Sequence, residues 1–225
     1  MPTDPLADLP PGEDDSTALF AGPRQAASRL VLLHGWGADA DDLLDLGPVL
    51  LGADPASIGL SVVALRAPLP HPAGLGRQWY DLQQPEWPQL PEARRALRQR
   101  LLALGTSVPL EHTCLLGFSQ GAAMAIDVAT GGGPDDGDPL PLAGLVACSG
   151  YPHPDWQPQT PCTAILLTHG EQDPVVPFAA SVALERSLAE AGGSVQRIAF
   201  PGGHSIDAEL IAPMREFLVR GWQGR

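Results

Sequence analysis

The segment Leu115-Leu116-Gly117-Phe118-Ser119-Gln120-Gly121-Ala122-Ala123-Met124 constrains this chain more than any other. An apolar strand, a sharp turn and a small-residue helix follow one another without a spacer, and the turn reads Gly-x-Ser-x-Gly. Only small residues beside the Ser let strand and helix close on each other. The strained turn then pushes the Ser side chain out of the sheet, which makes Ser119 a candidate nucleophile. The N–H of Gln120, at the start of the helix, is a candidate donor to a developing oxyanion.

A Ser nucleophile needs a base, and the base needs an orienting acid. Both candidates lie downstream, each where a strand meets a loop. The buried-type strand Thr163-Ala164-Ile165-Leu166-Leu167-Thr168-His169-Gly170 runs into Glu171-Gln172-Asp173-Pro174-Val175-Val176-Pro177, which places Asp173 just past a strand end. The strand Val195-Gln196-Arg197-Ile198-Ala199-Phe200 runs into Pro201-Gly202-Gly203-His204, which places His204 on a Gly-rich loop. Asp155 and Asp207 compete with Asp173 for the acid, but neither follows a strand end directly. The order Ser, acid, His is that of α/β-hydrolases. Strand ends are also the edge at which open α/β sheets bind ligands.

The rest of the chain supports that architecture. Short apolar strands are expected at Arg29–Leu33, Ser61–Leu65, Thr113–Leu116 and Leu142–Ala147. Helices are expected at Asp39–Leu51 (shortened or kinked by Pro48), Glu92–Leu104 with an Arg-rich outer face, Gln120–Ala129, Phe178–Ala191 and Ile206–Arg220. Continuous apolar strands alternating with helices imply a mainly parallel sheet with helices on both faces. Nothing in the chain is large enough to form a lid domain. Residues 1–16 read as a flexible arm and 17–225 as a single catalytic domain. The long stretch Pro68–Pro91 lacks periodicity, yet Trp79, Tyr80 and Trp87 argue that it packs. The Gly/Asp/Pro run Gly131–Pro139 reads as an exposed loop.

Composition narrows the function. A net charge of −13 argues against nucleic acid and against stable docking on anionic membranes. No secretory leader and no apolar run of membrane-spanning length are visible, so a cytoplasmic location is expected. Cys114, Cys148 and Cys162 read as buried free thiols of a reducing compartment. The His residues lack metal-ligand spacing, so no metal is expected. The apolar, Pro-rich loops permit a homodimer without requiring one.

His34-Gly35-Trp36-Gly37 follows the first expected buried strand, where such folds place the second oxyanion donor. The Trp36 N–H is the candidate. His34 and His169 read as structural or supporting groups. Trp36, Trp79 and Val175 are candidates for lining a substrate pocket, whereas Tyr80 reads as packing.

Taken together, His34-Gly35-Trp36-Gly37-Ala38-Asp39, Gln78-Trp79-Tyr80-Asp81, Gly117-Phe118-Ser119-Gln120-Gly121, Asp173-Pro174-Val175-Val176-Pro177 and Gly203-His204 resemble the phospholipase/carboxylesterase family of α/β-hydrolases, which includes acyl-protein thioesterases. The resemblance spans roughly residues 29–220. It implies a hydrolase without a large lid, acting on carboxylic esters or thioesters without a cofactor. Ala122 stands where the family often carries a further Gly. Trp36 stands where many thioesterase members carry Leu, which points away from a long-chain lipid thioester. The expectation is a serine carboxylesterase for small-molecule esters of short to medium acyl length. An acyl-protein thioesterase or lysophospholipase is the alternative within hydrolases, and a non-catalytic binding protein on the same fold is the alternative outside them.

Overall fold

Apolar residues at both parities along each strand decide the architecture. In β2 (Ser28–Leu33), Val31 and Leu33 join one buried cluster, while Leu30 and Leu32 join another. The same alternation separates Val63 and Leu65 from Val62 and Ala64 in β3 (Leu60–Leu65). A strand buried on both faces must lie inside a three-layer sandwich. The computed structural model describes residues 16–133, 137–161 and 163–224 and has that form. The expected arm falls on residues that lie almost wholly outside this set, as does Cys162.

The sheet has seven strands in the order β1-β3-β2-β6-β7-β8-β9. Besides β2 and β3 these are β1 (Ala18–Ala21), β6 (Thr113–Phe118), β7 (Gly144–Cys148), β8 (Ile165–Gly170) and β9 (Val195–Phe200). All neighbouring pairs are parallel except β1 with β3. The helices α1 (Ala40–Leu44), α2 (Leu46–Leu51) and α6 (Ala208–Gln223) supply residues to one core. The helices α3 (Leu90–Leu104), α4 (Gln120–Thr130) and α5 (Ala179–Glu190) supply the other. The connection from β3 to α3 carries only the two-stranded pair β4 (Leu69–Pro70) and β5 (Arg77–Gln78), and no helix. No helix among the described residues is long and apolar enough to cross a membrane.

Several local expectations need correction. The helix at Asp39–Leu51 is two helices meeting at Asp45. Pro48 cannot donate a hydrogen bond and its ring crowds the carbonyl four residues back, so one continuous helix is blocked there. Asp39 starts α1 with a capping box closed by Asp42. The Arg face of α3 is not wholly outward, because Arg94 is buried. Its Nε donates to Asp127 Oδ2 at 2.5 Å, and its two terminal nitrogens grip Asp155 at 2.8 Å each. Removing one partner of a buried ion pair costs about 3–5 kcal/mol, which applies to Arg94–Asp127 between α3 and α4, whereas Asp155 is 41% exposed and its contact ties the 151–157 loop to α3 more weakly. Gly131 and Gly132, expected in an exposed loop, are buried, with Trp156 and Gln159 packed close. Cys114 and Cys148 are buried, and burial pushes the Cys148 thiol up to about 12.

Candidate functional site

Four loops converge at the carboxyl ends of the parallel strands, following β2, β6, β8 and β9. Their meeting follows from strand order. Leu33 of β2 pairs with Gly117 of β6, so the His34–Gly37 loop leaves the sheet beside the Ser119 turn. Gly170 of β8 pairs with Phe200 of β9, so the Asp173 and His204 loops emerge side by side.

Ser119 sits between β6 and α4 with φ +54° and ψ −119°. A side-chain-bearing residue in the left-handed region carries about 1–3 kcal/mol of strain. The Ser119 N–H donates to Cys148 O at 2.9 Å and helps hold the turn. The two flanking glycines are required by space. A Cβ on Gly117 would lie 2.4 Å from Gly121 O, and one on Gly121 would lie 2.3 Å from Leu33 O. Either atom would drive α4 off the sheet and move the Ser.

His204 bridges the other two candidates. Its Nδ1 lies 2.7 Å from Asp173 Oδ2, and its Nε2 lies 2.9 Å from Ser119 Oγ. Because a carboxylate can only accept, Nδ1 carries the proton and Nε2 is left free to accept from the hydroxyl. The Phe118 ring packs against the imidazole at 4.8 Å between centroids. Asp173 is held in turn by its own loop, its Oδ1 accepting from the N–H groups of Val175 at 2.8 Å and Val176 at 2.9 Å. Burial opposes ionisation of this carboxyl. The hydrogen bonds from His204, Val176 and Val175 outweigh burial and hold it below the usual carboxylate range. His169 braces the same turn from beneath, with Nε2 donating to Val176 O at 2.9 Å.

The two competing acids are engaged elsewhere. Asp155 is occupied by Arg94, and Asp207 accepts from Ser205 Oγ at 2.6 Å. His34 is buried and structural. Its Nε2 accepts from Ala67 N–H at 3.0 Å, its Nδ1 donates to Gly35 O at 2.8 Å, and burial lowers its pKa. Gly35 lies so close to Ser119 that an added Cβ would stand 3.2 Å from the Ser119 Cβ. Trp36 and Gln120 thus flank the Ser, and among the described residues neither backbone N–H has a protein acceptor.

A cleft of about 540 Å³ opens over Ser119 and His204, within the range of small-molecule sites. Trp36, Leu82, Trp87, Tyr151 and the Val175–Pro177 turn line it. Trp36 is 37% exposed. Its indole is fixed by a 2.8 Å hydrogen bond to Gln78 Oε1 and by edge contact with His71. Val175 is 64% exposed and belongs to the rim. Trp79 does not line the cleft, contrary to expectation. It is 2% exposed, and its indole N–H donates to His34 O at 2.9 Å. The buried Gln120 side chain locks this segment to α4 by accepting from Trp79 N–H and donating to Tyr80 O. Trp79 therefore supports the loop beside Ser119 from behind. The wall residues Leu82, Trp87 and Tyr151 were not identified from sequence. Tyr151 had one signal, since it follows the end of β7 at the same sheet edge.

Among the described residues no group of three or more His, Cys, Asp or Glu is placed to hold a metal ion. The arrangement is a hydroxyl, an imidazole and a carboxylate in one hydrogen-bonded line at the floor of an apolar cleft. It suits proton removal from Ser119 during attack on a carbonyl.

Comparison with known proteins agrees with this architecture. A profile of the Phospholipase/Carboxylesterase family matches residues 15–220. Esterase YpfH of Escherichia coli (strain K12) is 29% identical over 196 residues, covering 82% of this chain and 78% of the relative. Acyl-protein thioesterase 1 of Neurospora crassa is 29% identical over 128 residues, about half of each chain (52% and 49%). Among solved structures, esterase PE8 superposes with a TM-score of 0.77 at 26% identity, over 90% of this chain and 97% of the other. The Bacillus cereus carboxylesterase shares the fold with a TM-score of 0.75 at 19% identity, over 91% and 93%. With its profile match running nearly end to end, the chain belongs to the phospholipase/carboxylesterase family, an α/β-hydrolase family of esterases and thioesterases.

Proposed function

We propose that this protein is a serine carboxylesterase acting on small esters of short to medium acyl length. The observation that carries the reading is the unbroken line Ser119–His204–Asp173 beneath the cleft. In this mechanism Ser119 Oγ attacks the ester carbonyl while His204 Nε2 takes its proton. Asp173 holds the imidazole in the right tautomer and stabilises its charged form. The tetrahedral oxyanion is bound by the N–H groups of Trp36 and Gln120. Collapse expels the alcohol, which receives the proton from His204, and leaves an acyl-Ser119 ester. Water, deprotonated by His204, then releases the acid and restores the Ser. The YpfH and PE8 relatives, both named as esterases, support this reading. The relative named as an acyl-protein thioesterase is what favours thioester hydrolysis as the second reading, over half the chain.

A panel of p-nitrophenyl esters from acetate to palmitate, with matched thioesters, separates the two. Each buried methylene contributes about 0.8 kcal/mol, so kcat/KM is expected to rise roughly fourfold per carbon until the cleft is filled. The rise should end at about four to eight carbons, where further methylenes extend past the rim into water. A rise continuing to palmitate, with palmitoyl thioester the best substrate, would replace the carboxylesterase reading with the thioesterase one.

Trp36 supplies a second check. Trp36→Ala removes the indole but keeps the backbone N–H, so the best acyl length is expected to shift toward longer chains with substantial turnover retained. Loss of an oxyanion donor costs about 10²–10³ in kcat. A fall of that size with unchanged acyl preference would show that the indole matters for the hole and not for the cleft.

A further inference from the structure

A second hydrogen-bonded line runs through the protein beside the first and ends at the cleft wall. It begins at the buried Arg94–Asp127 pair. Asp127 Oδ2 also accepts from His153 Nδ1 at 2.6 Å. His153 Nε2 lies 2.7 Å from the Tyr80 hydroxyl, which lies 2.7 Å from the Tyr151 hydroxyl. His153 and Tyr80 are buried, and Tyr151 lines the cleft with Ser119 and His204. None of these groups takes part in the proposed ester chemistry.

The donor inventory sets the polarity of this line for the Nδ1–H tautomer of His153. With Nδ1 donating to Asp127, an imidazole that carries only that one proton has a bare Nε2, which accepts the Tyr80 proton. The Tyr80 oxygen then accepts the Tyr151 proton. Burial drives the Tyr80 pKa far up and pushes Tyr151 up to about 12, so both phenols keep their protons. Among the described residues Tyr80 is the sole hydrogen-bond partner of the Tyr151 hydroxyl. Its proton is committed inward, and its remaining lone pair is left to accept.

The setting is closely packed. Trp87 packs on Tyr80, Tyr151 and His153 at centroid separations of 5.4, 6.2 and 5.6 Å. It is held there by two consecutive left-handed residues, Glu86 at φ +60° and Trp87 at φ +45°. Neither is Gly, so the chain bears strain to keep this indole over the line.

We infer that the Tyr151 oxygen, oriented by the Asp127–His153–Tyr80 chain, is a specificity-determining hydrogen-bond acceptor for a hydroxyl carried by the substrate. The preferred substrates are then hydroxylated esters, recognised beyond their acyl length. This inference rests on the esterase reading and adds to it a substrate class. Tyr151 is the residue that touches substrate, while Tyr80 and His153 are positioning residues.

The test compares kcat/KM within matched pairs. Methyl butyrate is set against methyl 2- and 3-hydroxybutyrate, each enantiomer separately, and ethyl butyrate against 2-hydroxyethyl butyrate. In the wild-type protein at least one hydroxylated ester is expected to lead its parent by roughly tenfold or more, the scale on which a site built for a hydroxyl discriminates. Tyr151→Phe keeps the ring and should bring that ratio to about one. Tyr80→Phe leaves the Tyr151 proton without its fixed acceptor and should lower the ratio part of the way. Melting temperatures separate these effects from misfolding, because a line that only stabilises the fold would lower Tm while leaving the ratio unchanged. Equal turnover within every wild-type pair, or a preference that survives both variants, overturns the inference and leaves the esterase reading standing. Failure of the wild-type protein to hydrolyse any ester of the set overturns both.

Discussion

Ser119→Ala is expected to abolish ester hydrolysis and covalent labelling by a fluorophosphonate while the protein still folds. The hydroxyl is the atom aligned with His204 Nε2 at 2.9 Å, and among the described residues no other hydroxyl is paired with that nitrogen. Where a Ser–His–Asp unit acts together, loss of the Ser costs on the order of 10⁶ in kcat. The fold should tolerate the change. Oγ makes its hydrogen bond only to the partly exposed His204, and the backbone anchor to Cys148 O is untouched. Single-turnover hydrolysis, labelling and a melting curve on the same preparation read all three points. Labelling that persists in a folded Ser119→Ala protein would remove Ser119 from the mechanism.

Asp173→Asn is expected to lower kcat about 10⁴-fold with little loss of structure. The reason is in the wiring of this carboxylate. Oδ1 takes two loop N–H groups and Oδ2 takes His204 Nδ1. An amide has one oxygen, and the two N–H groups of Val175 and Val176 claim it. The NH₂ then faces Nδ1 and forces the proton to Nε2, where it blocks acceptance from Ser119. Asp155→Asn and Asp207→Asn serve as controls, because their partners are Arg94 and Ser205. Steady-state kcat for the three variants settles the acid. A comparable collapse in Asp207→Asn with Asp173→Asn active would show that the wrong carboxylate has been chosen.

How far the chain could be read depended on the range of the interactions. The turn at Ser119 was legible because its causes are local: two glycines and a Ser within five residues fix the backbone. The central strands were legible because burial on both faces writes an unbroken apolar run. β1 was missed, since four residues on an antiparallel edge carry little pattern of their own. Trp79 was placed in the cleft because an aromatic residue in an irregular loop does not declare which way it points; its direction is set by His34 and Gln120, 45 and 41 positions away. Arg94 falls on the expected Arg-rich outer face because the carboxylates that grip it, Asp127 and Asp155, lie 33 and 61 positions later. The wall formed by Trp87 and Tyr151 exists only once the loops after β5 and β7 have met, and no single segment announces it.

The backbone at Ser119 sets folding and chemistry against each other. Its φ of +54° belongs to the region that Gly occupies without penalty, so the chain keeps a residue there that makes the folded state less favourable. Against a typical domain stability of about 5–15 kcal/mol, strain of about 1–3 kcal/mol is a sizeable fraction. Selection for robustness alone would replace the Ser with Gly and lose the hydroxyl. The surplus that holds the strained turn comes from the two cores on either side of the sheet. Tolerance to core mutations is accordingly narrower in this protein than in an inert chain of the same fold, because part of its margin is already committed at position 119.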